Sequence, residues 1–433
     1  MDQYIIIPSC SDFNRGDQAL IWQTIKFAKN AGFDGDYYMI CSGEEPFSQS
    51  EKEGIRVLKQ ILLHPSRKFK SKQNIKYGAV LTFQWGVVAF FDFLKSLLVL
   101  NKYTRKLSKV FLNESQKKTL AKFEESKAFF VKGGGFLHSV GKITDIYKIY
   151  YHVFHIILAE SLNKPVYIMP NSYGPFNGLG VASLVCRVLK KCQLITTRES
   201  VSKEMLSKIG VRSEIFPDLG FYLKKSCREN IEIEKLRLLY PAHKLVAITV
   251  RPYRFPESPN PGERYENYIE NMIVFAKWLY DMGFLPVFIE HTLSYTMHEN
   301  DGSCIAEIVK KLADNKYALI ANQDYDCRDL KAIYSDFDYV VGTRFHSVIF
   351  ALSENVPSIA ITYGGNKGLG IMRDLGLEEY TIPMDKFDFS TAKGVFLKMV
   401  KNSVKIHKQL LKNKVALDSN YCLLINRLKE GGK

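Results

Sequence analysis

Short, continuously apolar runs alternate with segments of helical periodicity along most of this chain. The first run, YIIIP, is followed by a loop and a helical pattern over residues 17–30, and DYYMIC is a second run. The runs KAFFV, PVYIMP, QLITT and SEIFP continue the series, with amphipathic segments between them. Continuous apolar strands separated by helices are typical of parallel sheets covered on both faces. The pattern therefore predicts an α/β fold.

A polar stretch over residues 224–244 interrupts this series, and a second series follows it. The new runs are KLVAITV, FLPVFIE, YALI, DYVVG and PSIAITY. With 433 residues the chain is too long for one core. We therefore predict two Rossmann-like domains, residues 1–225 and 240–390, with the ligand in a central cleft faced by the carboxyl ends of both sheets. Basic helices over residues 391–433 are expected to pack back across the hinge.

One apolar stretch, GAVLTFQWGVVAFFDFLKSLLVL (residues 78–100), departs from the pattern and lies within an insertion at about residues 60–112. Three interpretations are open. The first is a buried helical pair within the first domain, and the second is a membrane span, which the internal Gln84, Asp92 and Lys95 make costly. The third is a monotopic anchor whose flanking basic residues meet anionic head groups: Lys68, Lys70, Lys72, Lys102, Arg105 and Lys106.

The net charge and the spacing of the cysteines limit which ligands and binding partners we expect for this protein. The formal net charge of +15 favours anionic partners. The sequence has no RNP-like aromatic pattern, zinc-finger spacing or basic leucine zipper, so no nucleic-acid partner is expected. The eight cysteines form no C-x-x-C pair, which predicts neither a disulfide framework nor a zinc site. The N-terminus lacks the pattern of a signal peptide, so we expect a cytoplasmic protein.

Two loops after predicted strands of the first domain carry residues suited to binding. SCSDFNRGDQAL contains Asn14 and Asp17, and Asp17 is a natural N-cap for the predicted helix. A plain strand–turn–helix connection explains this loop equally well. VKGGGFLHSVGK contains three glycines that could expose N–H groups to a ligand, followed by a polar histidine: Gly133, Gly134, Gly135 and His138. It matches neither a P-loop nor G-x-G-x-x-G, so neither ATP nor NAD is implied.

The loop VGTRFHSVIFAL in the second domain carries the strongest chemical signal. Thr343 is expected to cap a helix whose first turn holds Arg344 and His346, ahead of a buried apolar run. A helix N-terminus is already electropositive, so a cation placed there suggests an anionic ligand. Arg198 and Arg251 follow other strands in the same manner. Together these arginines predict an anion-binding cleft, with His346 able to transfer protons near neutral pH.

Eight sequence blocks in a fixed order carry a family resemblance. They run from about residue 8 to residue 376 and read NRGDQAL, VKGGGFL, MPNSYGPF, TTRESVSKEMLSKIGV, FPDLGF, VRPY, VGTRFHSVIFAL and PSIAITYGGNKGLGIMRDLGL. This set resembles the polysaccharide pyruvyl transferase family. The chain departs from the usual pattern at Phe345, where leucine is more common, and at Phe13 ahead of Asn14.

The resemblance implies a fold similar to that of the glycosyltransferase-B enzymes. It also implies transfer of pyruvate from phosphoenolpyruvate onto two hydroxyls of a sugar, which gives a cyclic ketal without a metal or cofactor. Carried over by motif, Arg198 and Arg344 are anion clamps and His346 is the acid/base, with Lys367 as a helper. Asp17 or the triple-glycine loop then faces the acceptor, so the first domain takes the acceptor and the second takes phosphoenolpyruvate.

The expected acceptor is a hexose of a surface polysaccharide, and the sequence leaves open whether a polyprenyl carrier holds it. The basic apolar insertion suits such a carrier at the inner face of the cell membrane. Two other hypotheses remain. One is a nucleotide-sugar-dependent glycosyltransferase of the same architecture, which would recognise a nucleoside diphosphate. The other is a non-catalytic protein that binds glycans or membranes, in which Arg344 and His346 would support no reaction.

Overall fold

The structure, a computed structural model, describes residues 1–41, 46–62, 79–295, 299–312, 316–322, 324–364 and 367–431, without the side chains of residues 79–82 and 367. The chain divides into two compact units. Unit 1 contains Met1–Ser11, Thr24–Phe216 and Leu424–Lys433, and unit 2 contains Asp12–Gln23 and Pro217–Leu423. Each unit is built on its own parallel sheet, so the predicted α/β fold with two parallel-sheet domains is confirmed.

Unit 1 holds an eight-stranded sheet in the order β3-β2-β1-β4-β6-β7-β8, with β5 paired to β6. Its strands are β1 (Asp2–Ser9), β2 (Gly35–Cys41), β3 (Ile55–Lys59), β4 (Ala128–Val131), β5 (Gly134–Val140), β6 (Val166–Asn177), β7 (Leu194–Thr197) and β8 (Glu214–Ile215). All neighbouring pairs run parallel. The apolar runs of the first sequence series form strands of this sheet, as predicted, while β3 and β5 were not predicted.

The helices around this sheet are α1 (Arg15–Asn30), α2 (Ser48–Lys52), α3 (Ala79–Leu100), α4 (Arg105–Ser108), α5 (Glu114–Glu125), α6 (Asp145–Ser161), α7 (Val181–Leu189) and α8 (Ser200–Lys208). The first residues of α1 belong to unit 2. α6 shows why these segments are helical, because its apolar residues recur at helical spacing and lie fully buried: Ile149, Val153, Phe154 and Ile156. Burial of this face against the sheet forms much of the core of unit 1.

Unit 2 holds a six-stranded parallel sheet in the order β11-β10-β9-β12-β13-β14. Its strands are β9 (Lys244–Thr249), β10 (Phe284–Ile289), β11 (Ala318–Ile320), β12 (Tyr339–Gly342), β13 (Ser358–Thr362) and β14 (Thr381–Pro383). Its helices are α9 (Ile231–Leu239), α10 (Pro261–Asp281), α11 (Asp301–Val309), α12 (Cys327–Ser335), α13 (Phe345–Ser353), α14 (Lys367–Asp374), α15 (Phe389–Lys401) and α16 (Ser403–Gly431). The strand order places β9 in the centre, with β10 and β12 on either side.

The division into units differs from the sequence-based boundaries in three places. The main boundary lies at residue 216 instead of near residue 230, and Asp12–Gln23 belongs to unit 2. The end of α16 belongs to unit 1, where the Tyr167 hydroxyl donates to the Gly431 carbonyl at 2.7 Å and Arg427 Nε contacts Glu214 at 2.9 Å. Hydrophobic periodicity marks helices and strands, but it does not reveal which sheet a connecting segment joins.

The described part of the apolar stretch (residues 79–100) forms one helix, α3, so the interpretation as a buried helical pair was wrong. An 18-residue window, Phe83–Leu100, has a mean hydropathy of 1.5 and is long and apolar enough to cross a membrane, and 11% of it is buried. Arg105, expected on the surface, is buried and closes the end of α3 by donating to the Val99 and Leu100 carbonyls. Lys68, Lys70 and Lys72 lie outside the described residues.

A buried carboxyl in unit 1 makes stability depend on pH. The Glu160 side chain is 8% exposed, its partner cation, Lys191 Nζ, is 3.9 Å away, and burial raises the pKa of Glu160 to about 7. In the unfolded chain this carboxyl ionises near 4.5. The folded state therefore retains a proton that the unfolded state loses, so this group lowers stability as pH rises from about 4.5 to 7.

We expect Glu160→Gln to raise the free energy of unfolding by about 2 kcal/mol at pH 8. The variant should leave stability unchanged near pH 4, because the amide resembles the protonated acid in shape and charge. Urea unfolding at both pH values measures the difference. Glu204→Gln, in an exposed i,i+4 pair with Lys208, is the matched control and should show no gain. An equal effect of Glu160→Gln at both pH values would contradict this assignment.

Candidate active site

The carboxyl edge of the unit 2 sheet collects most of the side chains suited to chemistry. The neighbouring strands β10, β9, β12 and β13 end there, and each is followed within three residues by a polar or aromatic side chain: His291, Arg251, Arg344 and Tyr363. Parallel strands bring such loops to one edge of the sheet. The structure therefore places Arg251, Arg344 and His346 on one side of unit 2, as their positions after strands predict.

Arg344 is held by a buried ion pair that the sequence did not indicate. Its Nε donates to Asp301 Oδ1 at 2.8 Å, and its Nη2 lies 2.6 Å from the same oxygen and 2.8 Å from the Glu299 carbonyl. The other oxygen, Asp301 Oδ2, accepts the backbone N–H groups of His291 and Thr292. Burial opposes charge on Arg344, but Asp301, Tyr363 and Glu299 together outweigh it and raise the pKa of Arg344. This guanidinium is a fixed cation, and none of the described residues forms a hydrogen bond with its Nη1.

The start of α13 differs from the predicted cap. Arg344 occupies the N-cap position in extended conformation, and its side chain does not cap the helix. Thr343, the predicted N-cap, is fully buried and donates its hydroxyl to the Thr249 carbonyl at 2.9 Å. The hydroxyls of Thr249 and Ser347 lie 2.9 Å apart and fix β9 against α13. Since no side chain of the N-cap residue bonds this helix start, its electropositive end suits an anion.

His346 lies in the first turn of α13 between a glycine and a buried carboxylate. Its Nε2 is 4.0 Å from Asp218 Oδ1, and the Asp218 side chain is fully buried. That oxygen also accepts the Gly220 N–H at 2.8 Å, which fixes the carboxylate. On the Nδ1 side the imidazole packs against Gly16, where a Cβ atom would overlap the ring. The Asp218 carboxylate and Gly16 thus hold the imidazole of His346 in place at the start of α13.

The N-R-G-D loop belongs to this site through its position in unit 2. Asn14 Oδ1 accepts the Asp17 N–H at 3.2 Å, and Asn14 Nδ2 donates to Asp17 Oδ2 at 2.7 Å. Asn14 therefore caps α1, and the prediction of Asp17 as the N-cap was wrong by one helical turn. Asn14 also forms a bridge with Thr292, and the Leu293 N–H donates to the Phe13 carbonyl. These bonds join the loop to the segment after β10.

Arg251 presents a guanidinium that lies over the ring of Tyr363 and beside that of Tyr253. Its Cζ lies 4.2 Å from the centre of the Tyr363 ring and 5.7 Å from that of Tyr253. Within the described part of the chain, its Nε is buried without a hydrogen-bond partner and no carboxylate forms a salt bridge with it. Cation–π stacking holds the planar group without neutralising it. Arg251 is therefore available to bind an anion.

Several residues at this edge escaped the sequence analysis. Arg15 is buried and donates to the Asp12 carbonyl at 2.6 Å. His291 is buried with Nδ1 3.2 Å from the Tyr334 hydroxyl, and burial together with the cations His346, Arg344 and Arg15 lowers its pKa well below the usual value. His291 is therefore neutral. The motif N-R-G-D pointed towards Arg15 and the block FPDLGF towards Asp218, whereas no local signal marks His291 or Asp301.

All but one of the remaining predicted residues lie in unit 1. Arg198 is buried after β7, where its Nε donates to Ser172 Oγ at 2.8 Å. Gly134 and Gly135 begin β5, which pairs with β6, so the triple glycine joins two strands and forms no open phosphate-cradling turn. Gly134 has φ +151°, which favours glycine. His138 lies within β5, with Nδ1 3.2 Å from the Gly135 carbonyl oxygen.

Lys367, in unit 2, begins α14, but its side chain lies outside the described part of the structure. The structure therefore brings Asn14, Asp17, Arg251, Thr343, Arg344 and His346 into unit 2 and leaves Arg198, the glycines and His138 in unit 1. This grouping assigns the N-R-G-D loop, expected in the first domain, to the unit that carries Arg344 and His346.

Comparison with known families shows the family of this chain. Residues 14–365 match the polysaccharide pyruvyl transferase family, and this range includes Arg251, Arg344 and His346. The chain belongs to that family. It is also 26% identical over 235 residues to the amylovoran biosynthesis protein AmsJ of Erwinia amylovora, a match that covers 52% of this chain and 55% of that protein. The chain thus aligns with about half the length of this curated relative.

Solved structures support the fold. The Anabaena protein Alr3699/HepE in complex with UDP and glucose has a TM-score of 0.54 at 11% identity, over 99% of this chain and 98% of that one. UDP-GlcNAc 2-epimerase from Neisseria meningitidis has a TM-score of 0.54 at 12% identity, over 99% and 100%. The trehalose-6-phosphate synthase OtsA has a TM-score of 0.54 at 10% identity, over 99% and 97%. The predicted similarity to the glycosyltransferase-B fold is confirmed.

The buried pair predicts a large loss of stability on removal of its carboxylate. We expect Asp301→Ala to lower the free energy of unfolding by about 3–5 kcal/mol, because it leaves the Arg344 charge buried without a counterion. Glu378→Ala is the matched control, since Glu378 also meets an arginine, Arg373, through two nitrogens but on the exposed surface. The control should cause no measurable change in urea unfolding. Equal effects of the two substitutions would contradict the role assigned to Asp301.

The contact between Gly16 and His346 gives a second test. We expect Gly16→Ala to cost about 1–3 kcal/mol, because the added methyl group must displace the imidazole. Gly394 in α15 is the matched control, because a methyl group added there would meet no atom within 4 Å among the described residues. Gly394→Ala should therefore stabilise the protein by about 0.5–1 kcal/mol through helix propensity. A neutral Gly16→Ala variant in urea unfolding would mean that the imidazole does not occupy this position.

Proposed function

We propose that this family member transfers pyruvate from phosphoenolpyruvate onto two hydroxyls of a hexose in a surface polysaccharide or its lipid-linked precursor. The observation that carries the proposal is the arrangement of Arg251, Arg344 and His346 at one edge of the unit 2 sheet. Two guanidinium groups and an uncapped helix N-terminus suit a donor with both a phosphate and a carboxylate. The histidine in the same helical turn supplies the acid that the reaction needs.

The charge balance of the site distinguishes the two arginines. Asp301 neutralises Arg344 and takes two of its nitrogens, so Arg344 adds orientation and one hydrogen-bonding edge. Arg251 has no such counterion among the described residues and keeps its full positive charge for a ligand. We therefore assign Arg251 and the N–H groups of α13 as the main anion-binding groups, with Arg344 as a second contact.

The reaction follows from the chemistry of an enol phosphate. His346 donates a proton to the methylene carbon, which becomes a methyl group, while C2 gains oxocarbenium character and is attacked by the first sugar hydroxyl. The C2–O bond to phosphate then breaks, and the second hydroxyl closes the cyclic ketal. Of the two hydroxyl protons released, one replaces the proton lost by His346 and the other leaves with inorganic phosphate. The positive groups around the donor stabilise the departing phosphate.

Asp218 supports this role of His346. The buried carboxylate lies 4.0 Å from Nε2 of the imidazole, and its bond from the Gly220 N–H keeps the carboxylate in place. Gly16 allows the ring to lie against the backbone of the N-R-G-D loop. This arrangement fixes the imidazole from two sides, which general acid catalysis requires because proton transfer depends on geometry first.

The family resemblance supplies the remaining roles. Arg198 is a further anion clamp and Lys367 assists the donor, and the acceptor contacts are Asn14, Asp17, Gly133, Gly134, Gly135 and His138. Neither a metal nor a cofactor is required by these steps. Phosphoenolpyruvate is a metabolite of the cytoplasm, so we place the reaction there. When the acceptor is lipid-linked, the reaction takes place at the inner face of the membrane.

The test compares phosphoenolpyruvate with UDP as ligands. We expect phosphoenolpyruvate to raise the thermal midpoint of the wild type and UDP to leave it unchanged. Arg251→Gln should weaken phosphoenolpyruvate binding by roughly 100-fold, through loss of a charge-assisted contact. Arg254→Gln, an exposed arginine three residues away, is the matched control and should bind like the wild type. A midpoint shift with UDP alone would instead support glycosyl transfer.

His346→Asn separates binding from chemistry. The variant should bind phosphoenolpyruvate with nearly unchanged affinity, but release phosphate about 10²–10⁴-fold more slowly when hexose-containing oligosaccharides are supplied as acceptors. Isothermal titration and a phosphate-release assay measure the two effects. An unchanged rate of phosphate release in His346→Asn would remove His346 from the proposed mechanism.

A further inference from the structure

The helix α3 carries its charged residues towards the protein and its apolar residues outwards. Asp92 and Lys95 form a salt bridge at 3.4 Å, and their side chains are only about one-fifth exposed. Asp92 faces α6, where its carboxylate adds to burial in raising the pKa of Tyr147. In the next turn, Ser96 Oγ lies 2.5 Å from the Tyr150 hydroxyl of α6. The polar side of α3 is therefore already used within unit 1.

The opposite side of α3 is an exposed apolar face. Phe83, Phe90 and Phe91 are 73%, 58% and 63% exposed, and further apolar side chains continue the face: Val87, Leu94 and Leu97. A surface helix of a soluble domain normally shows the reverse arrangement, with its polar residues in water. Six apolar side chains on one helix exceed what scattered surface residues explain, so this face has a binding role.

Basic and apolar residues alternate beyond the end of the helix. Tyr103, Leu107, Val110 and Phe111 are all more than half exposed, and Lys102 and Lys106 are exposed between them. Between residues 79 and 113 the sequence has five basic residues and one acidic residue, a net charge of +4. The basic ones are Lys95, Lys102, Arg105, Lys106 and Lys109. Apolar side chains interleaved with lysines are typical of segments that lie in the interface of an anionic bilayer.

We propose that unit 1 binds the surface of an anionic lipid bilayer through this membrane face, defined as the outward side of α3 together with residues 102–111. A second copy of the chain suits the face less well, because dimerisation would bring two positively charged surfaces together. The helix lies on the surface and does not span the bilayer, since the Asp92–Lys95 pair and Ser96 hold its inner side against α6. The proposal does not depend on the nature of the donor substrate.

Vesicle flotation tests this proposal with the full-length protein. We expect the wild type to bind vesicles of phosphatidylglycerol mixed with phosphatidylcholine at low salt, and to bind pure phosphatidylcholine far more weakly. Phe90→Ser/Phe91→Ser should reduce binding by at least roughly tenfold, because two exposed rings no longer enter the interface. Lys102→Gln/Lys106→Gln should reduce it by roughly 20-fold at low salt and weaken its dependence on salt.

Unit 2 offers a matched control for each pair. Leu238→Ser/Leu239→Ser changes two adjacent apolar residues that are 80% and 72% exposed. Lys408→Gln/Lys412→Gln changes two exposed lysines with the same i,i+4 spacing as Lys102 and Lys106. Both controls should bind vesicles like the wild type. Thermal unfolding and phosphoenolpyruvate binding should be unchanged in all four variants, which separates a failure of this proposal from a failure of the proposed reaction.

Three results would overturn the proposal. The first is that the wild type does not bind anionic vesicles, and the second is that the test pairs and the control pairs lose binding equally. The third is a dimer in analytical ultracentrifugation that Phe90→Ser/Phe91→Ser dissociates while no variant or wild-type protein binds vesicles. In that case the membrane face is covered by a second copy of this chain.

Discussion

The buried ion pair between Arg344 and Asp301 is the interaction on which the unit 2 site depends. It joins the loop after β12 to the start of α11, and the same carboxylate accepts two backbone N–H groups after β10. Two loops at one sheet edge, the one after β12 and the one between β10 and α11, are thus fixed by a single charged group. A buried cation without this counterion would be strongly unfavourable, so the pair and the geometry of the site form together. As a consequence, the pair holds the Arg344 guanidinium in a fixed orientation.

Around this pair the charges are distributed unevenly, and the distribution matters for function. His346 has Asp218, Arg344 has Asp301, and His291 is kept neutral by burial and by its cationic neighbours. Arg251 alone among these groups is held by aromatic stacking instead of a carboxylate. Stacking fixes the plane of a guanidinium while leaving its charge intact. The groups that meet carboxylates are therefore held in position, whereas Arg251 keeps a charge that can attract an anion.

The sequence analysis succeeded where the signal was local and failed where it was not. The parallel sheets, the buried strand before Arg344 and the family were all found from the sequence, because apolar periodicity and short motifs extend over neighbouring residues. The caps were each misplaced: Asn14 caps α1 instead of Asp17, and Arg344 replaces Thr343 at α13. Several residues are suitable caps at such positions, and backbone geometry decides between them. The interpretation of residues 78–100 as a buried helical pair was wrong, because composition alone does not show which side of a helix faces the protein.

By itself the sequence determined that two parallel α/β sheets form and that an arginine and a histidine open a buried helix. Only the tertiary structure decided what those side chains meet: Asp301 lies 43 positions before Arg344, and Gly16 contacts His346 from the other end of the chain. It also decided that the charges of α3 face inwards. Periodicity follows from the repeat of one helix or strand, whereas these contacts follow from the order in which distant strands enter a sheet.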